Sequence, residues 1–229
     1  MANRHKNICY RCESVATTRE HFPPKSFFPK GGNLQLNTIR SCVKHNNSKS
    51  NDDQYLLAQI CINASKGDNL AKRIFNRSIV PMFERSPAFI NMITQNAERL
   101  PDGSVRYLID TDRFNNFFDS LSCAVFFDKF NRQYAPNTHT MSHVYLSLGS
   151  DDPQINEQKK LVGSMLEYFF KNHRDLIEHF EADHVDEVVY TNELIAPAGM
   201  DASITIAHSF YGVFEVVSML TYKLQRVCE

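Results

Sequence analysis

Hydrophobic and polar positions divide the chain into a first stretch with little periodicity and a longer one rich in it. Residues 1–50 carry Pro23-Pro24, Gly31-Gly32 and many Asn and Cys, a composition that breaks helices and strands rather than building them. From Ser50 the pattern changes. Ser50-Asn51-Asp52-Asp53 places acids in a first helical turn, and Tyr55, Leu56, Gln59 and Ile60 follow at helical spacing, which sets a boundary near Asn51. Further helices are expected over 68–79 and 86–100, separated by Pro81 and Pro87, and Pro101-Asp102-Gly103 turns into a short strand over 105–110. Residues 112–130 repeat Phe114, Phe117, Phe118, Leu121, Val125 and Phe126 as the buried stripe of a core helix. Residues 143–149 read as a strand and 155–173 as an amphipathic helix. Residues 187–195, 202–210 and 212–220 read as strands, the last two joined in a tight hairpin at Tyr211-Gly212. The pattern predicts an α+β protein: a small N-terminal module over 1–50 and a larger mixed α+β domain over 51–229, with no internal repeat.

Composition narrows the class. Of 229 residues, 42% are hydrophobic and 22% charged, the balance of a globular protein rather than a disordered or fibrous one. No run approaches the roughly 18 apolar residues of a membrane helix, and the start lacks an apolar signal core, so a cytoplasmic protein with no membrane partner is expected. Six cysteines in a reducing compartment read as metal ligands or chemistry rather than as a disulfide framework. Cys9, Cys12 and Cys42 cluster by motif, whereas Cys61, Cys123 and Cys228 do not. The net charge of −1 hides a division: residues 1–50 sum to +7 and the remainder to −8. A basic segment beside an acidic body points the segment at a polyanion.

Cys9-x2-Cys12 is followed by Cys42-x2-His45. Two ligands two residues apart fit one tight turn, and two such knuckles complete a closed tetrahedral site for a structural Zn²⁺. That ion would give a core-poor segment its reason to fold. His5 and Cys61 are less well spaced alternatives to His45. Between the knuckles lies Arg19-Glu20-His21-Phe22-Pro23-Pro24-Lys25, and after them Asn46-Asn47-Ser48-Lys49-Ser50. On a strand, Glu20 and His21 point to opposite faces unless the strand bends, so one can bind metal while the other meets water; spacing alone equally allows a structural histidine.

The order C-x2-C, E-H-x-P-P-K, an Asn at 37, then C-x2-H-N-x2-K-S, covering residues 9–50, resembles the zinc-knuckle branch of the HNH endonucleases. The resemblance implies a ββα-metal module, a hairpin and helix around one catalytic Mg²⁺ or Mn²⁺, with the zinc as a separate staple. It implies His21 as general base, Glu20 and Asn46 as ligands of the catalytic metal, and Asn37 as the residue that orients His21, with Asn33 as its rival. Lys25, Lys44 and Lys49 would clamp phosphates of DNA. His45 stands where Cys is commoner in this pattern, and Glu20 where Asp is.

The expected function is hydrolysis of DNA phosphodiester bonds, in the setting of a bacterial defence or mobile-element effector that such fusions suggest. The alternative is a zinc-stabilised nucleic-acid-binding module that does not cut. Residues 51–229 would then serve in oligomerisation, sensing or partner binding, the strands over 202–210 and 212–220 forming either a homo-oligomer seam or part of a monomer core.

Overall fold

The computed structural model describes residues 7–30, 36–47, 50–64, 69–134, 139–184, 187–197 and 203–223. In chain order, β1 (Thr18–His21) is followed by a 3-10 turn over Lys25–Phe27, then β2 (Thr38–Ser41), α1 (Val43–Asn47), α2 (Ser50–Ala64) and α3 (Asn69–Ile74). A π-helical segment over Phe75–Ile79 leads into α4 (Val80–Arg85) and α5 (Pro87–Ile93), and two residue pairs form the small hairpin β3 (Glu98–Arg99) and β4 (Val105–Arg106). Then come α6 (Thr111–Phe130), β5 (His139–Tyr145), α7 (Pro153–Asn172), β6 (Ile177–His184), β7 (Glu187–Ile195), β8 (Ile204–Phe210) and β9 (Phe214–Tyr222).

The last five strands form one antiparallel sheet in the order β5-β9-β8-β7-β6. Tyr211 and Gly212 both take positive φ, 55° and 69°, the backbone of a two-residue hairpin turn that matches strand twist. Strands β8 and β9 are each paired on both sides, so their edges are inside the sheet. Alternation gives the sheet two apolar faces. Phe210, Phe214, Ile206 and Tyr190 pack under α6, while Val144, Val217 and Ile195 pack against Val162 and Leu166 of α7. The two long helices are well bounded: Asp110 caps α6 by accepting from Arg113 N–H at 3.1 Å, and Asn131 ends it at φ 50°. Asp152 caps α7 ahead of Pro153 at its first turn.

Some expected elements come out shorter. Of the strand expected over 105–110, Val105–Arg106 alone pairs, and the strand expected to start at 143 starts at His139. Pro81 sits in the first turn of α4 instead of separating helices, because a first-turn N–H has no intrahelical partner to lose. Strand β6 is the sheet edge: Phe180 and Ala182 turn toward the core in alternation with His179 and Glu181, and its charged side chains block pairing with other chains.

Between α6 and the sheet lies a connected row of polar side chains. Asp119 Oδ1 is 2.9 Å from His143 Nε2, and His143 Nδ1 is 2.8 Å from Ser218 Oγ. Ser218 Oγ is 3.0 Å from His208 Nε2, which also lies 3.1 Å from Ser122 Oγ, and His208 Nδ1 is 2.7 Å from the Tyr190 hydroxyl. Burial, aided by the neighbouring His143, pushes His208 down to about 3, so its imidazole is neutral.

The N-terminal segment is not held by metal ligands alone. Tyr10, Phe22, Phe27, Phe28 and Ile39 join the same core as α2 and α6. Phe27 is fully buried, stacked 5.5 Å from Phe117 and tilted 5.2 Å from Phe210, and its carbonyl accepts from the Tyr211 hydroxyl at 2.9 Å. Periodicity misses these aromatics because they sit on turns, where no 2.0 or 3.6 repeat exists. Phe27→Ala is expected to destabilise the whole chain by about 3–5 kcal/mol, with a single unfolding transition by both near-ultraviolet dichroism and intrinsic fluorescence. A separate early transition confined to the N-terminal segment would contradict this packing.

Candidate metal centre and adjoining cleft

The two knuckles come from different pieces of backbone. Cys9 and Cys12 lie on an irregular loop closed by Cys9 N–H to Ser14 O at 2.9 Å, whereas Cys42 immediately precedes α1 and His45 lies on it. Pairing of β1 with β2, from Thr18 opposite Ser41 to His21 opposite Thr38, carries the chain back so that the two meet. Tyr10 N–H donates to Arg40 O at 2.9 Å and pins the loop beside β2.

The four ligand atoms all lie within 4.8 Å of one another. Cys12 Sγ and Cys42 Sγ are 3.8 Å apart, and His45 Nδ1 is 3.4 Å from both Cys9 Sγ and Cys42 Sγ. Around a tetrahedral Zn²⁺, ordinary metal–ligand lengths give edges of about 3.8 Å between sulfurs and about 3.5 Å between sulfur and nitrogen. Three soft thiols and one imidazole therefore form a Cys3His set of the size and chemistry that holds a metal ion such as zinc. Among the described residues it is the one such grouping of His, Cys, Asp or Glu. Cys61 is buried in α2 outside the cluster, and His5 lies outside the described residues.

Two contacts from α6 and the residues just after it brace the loop. The Gln133 amide donates to Cys9 O at 2.6 Å and also to Cys12 O, and Arg11 Nη1 donates to Ser120 Oγ at 2.6 Å. Gln133 carries no signal in the sequence, lying 121 residues beyond Cys12 in no motif.

The hairpin sets out the other candidate residues. Arg19 and Arg40 are directly opposite each other, as are His21 and Thr38, and alternation puts all four on one face. Like charges directly opposed disfavour a strand pair, so a patch of this kind is suited to an anion. Glu20 lies on the other face, where Ser41 Oγ donates to its carboxylate at 3.3 Å. The buried Tyr10 phenol is pushed well above its ordinary value by burial, with the Glu20 charge adding to it. At its end β1 bends into Phe22-Pro23, and Glu20 and His21 both border one narrow cleft with Asp53 of α2 and Phe117, Ser120 and Leu121 of α6. Burial lowers the half-buried His21 imidazole below the usual histidine range, Lys25 adds to this, and Glu20 opposes it. Asn46 Nδ2 donates to Arg19 O at 3.4 Å, tying α1 to β1. Asn37 is exposed and meets the end of β1 through its carbonyl, which accepts from Phe22 N–H at 3.2 Å. Lys25 and Lys44 are exposed; Lys49 and Asn33 lie outside the described residues.

In the sequence Asp53 is only one of the acids of a first helical turn, and its place beside His21 depends on how α2 packs. No protein-family profile, curated protein or solved structure matches the chain. No helix among the described residues is long and apolar enough to cross a membrane.

Gln133 orients ligands through their backbone, a role whose loss ordinarily costs 10–100-fold in metal affinity. Gln133→Ala is expected to weaken binding by about tenfold or more in a Co²⁺ titration followed by thiolate–cobalt absorption, with the tetrahedral spectrum kept. Unchanged affinity would mean that the cluster is held without that brace.

Proposed function

We propose that the chain is an HNH-type, metal-dependent endonuclease acting on DNA, with a structural zinc at Cys9, Cys12, Cys42 and His45. The observation that carries this reading is the hairpin-and-helix arrangement. His21 ends β1 on the face that presents the opposed Arg19 and Arg40, and α1 is joined to β1 through Asn46. The zinc cluster lies at the far end of that same unit, tying the loop before β1 to the start of α1.

Hydrolysis of a phosphodiester needs a base for the attacking water and positive charge around the phosphate. The lowered, half-buried His21 has the neutral imidazole a base requires. Arg19, Arg40, Lys25 and Lys44 supply positive charge, Asn37 buttresses the turn after His21, and Lys49 would add a further clamp. Glu20 and Asn46 offer hard oxygen donors of the type Mg²⁺ or Mn²⁺ takes; Glu20 shares its cleft with Asp53, while Asn46 meets β1 at Arg19 O and is not among that cleft's lining residues. A divalent ion bound there would neutralise charge developing on the phosphate oxygens. So few protein oxygens suit Mg²⁺, which keeps most of its waters and shares substrate phosphates. A bacterial defence or mobile-element setting remains part of the proposal, and residues 51–229 would supply any homo-oligomer or partner contact.

Elemental analysis of purified protein is expected to give about one zinc per chain, lost in Cys9→Ser/Cys42→Ser. Zinc retained at full occupancy in that double variant would refute the cluster as its site. Supercoiled plasmid should be nicked or linearised with Mg²⁺ or Mn²⁺ and protected by EDTA. His21→Ala should keep DNA binding while losing about 10²–10⁴-fold in rate. Binding without cutting by the wild type under every metal would favour a binding module instead, and cutting at full rate by His21→Ala would remove His21 as the base.

A further inference from the structure

The remainder of the chain is acidic in sum, yet residues 69–83 contain Lys72, Arg73 and Arg77 and no Asp or Glu. The structure brings part of this run against the end of the N-terminal segment. A cleft of about 400 Å³ has Lys30, Arg73 and Arg77 in its lining, and Pro29, Leu70 and Ile74 line it with aliphatic surface. Asn76 and Ser78 complete the polar lining, and among the described residues no carboxylate belongs to it. Glu187 is ion-paired with Arg73 from outside the lining, leaving Lys30 and Arg77 as the cations best placed to take an external anion. One wall is the π-helical segment Phe75–Ile79, a backbone form that is rare and recurs at functional sites.

We propose that this cleft is a second footing for DNA, seating one sugar-phosphate unit of the backbone. The inference rests on the reading of the chain as acting on DNA and extends the contact surface beyond the first fifty residues. Cations, an amide and a hydroxyl match phosphate oxygens, the groups that position a protein on DNA without reading sequence. The aliphatic lining suits a deoxyribose ring; an aromatic platform, which a stacked base would need, is not among the lining residues. Lys30 lies five residues after Lys25, so the cleft continues the chain that leads away from His21.

The test is fluorescence anisotropy of a short labelled duplex across a salt series, with Ca²⁺ in place of Mg²⁺ to suppress cutting. Lys30→Ala/Arg77→Ala alters exposed side chains and should leave zinc content unchanged. It is expected to weaken binding and flatten the log–log salt slope by about one to two units. Lys160→Ala/Lys171→Ala on α7 should leave the slope as it is. If Lys30→Ala/Arg77→Ala matches wild type while Lys25→Ala/Lys44→Ala loses affinity, the cleft proposal is wrong and the endonuclease reading stands. If Lys30→Ala/Arg77→Ala flattens the slope but the wild type cuts no plasmid, the cleft stands and the endonuclease reading falls. Saturable binding of free dAMP that the double variant abolishes, with duplex binding untouched, would overturn the DNA footing in favour of a free-nucleotide site.

Discussion

Cys9 and Cys12 sit on a loop without regular structure, Cys42 and His45 beside or within a five-residue helix, and the hairpin between them has four residues per strand. None of these pieces can hold its shape alone in water, since short helices and isolated hairpins are marginal. Pairing of β1 with β2, together with burial of Phe22, Phe27 and Ile39 in the common core, brings them into one unit, and three sulfurs and one nitrogen converge where they meet. The place of His21 at the end of β1 and the opposition of Arg19 and Arg40 belong to that pairing, and Asn46 reaches β1 from the position next to His45. A metal ion held by the four ligand atoms would lock a unit that pairing and core packing assemble.

The second hold comes from α6. One side of this helix receives Arg11 through Ser120 and packs Phe27 through Phe117, and residues just past its end reach Cys9 and Cys12 through Gln133. The other side lies on the sheet. Any change in how α6 sits on the sheet is therefore passed directly to the metal loop and to the cleft beside His21, because the same twenty residues touch both.

Legibility in the sequence followed the physics of repetition. The helices over 50–64, 111–130 and 153–172 and the strand over 187–195 announce themselves through apolar residues at helical or strand spacing: α7 buries one stripe, while α2, α6 and β7 are covered on more than one side and carry denser apolar runs. The Cys and His ligands were legible because coordination fixes local spacing, and the structure brings all four together. What escaped were contacts without a period: Phe27 on a turn, Gln133 at a great distance along the chain, Asp53 turned toward the cleft by packing, and the charged edge strand β6. The sequence left open whether Glu20 and His21 face apart along a strand or share a side through a bend; both border one cleft where β1 gives way to Phe22-Pro23.

The polar row beneath α6 has a direction. His208 is neutral, so one of its ring nitrogens donates and the other accepts. If Nε2 donates to Ser218, Nδ1 accepts from the Tyr190 hydroxyl; if Nδ1 donates to Tyr190, Nε2 accepts a hydroxyl hydrogen from Ser218 or Ser122. The direction is therefore set at one ring and handed along by the serine hydroxyls, which turn without moving a heavy atom. This interior admits two hydrogen orders on one unchanged frame.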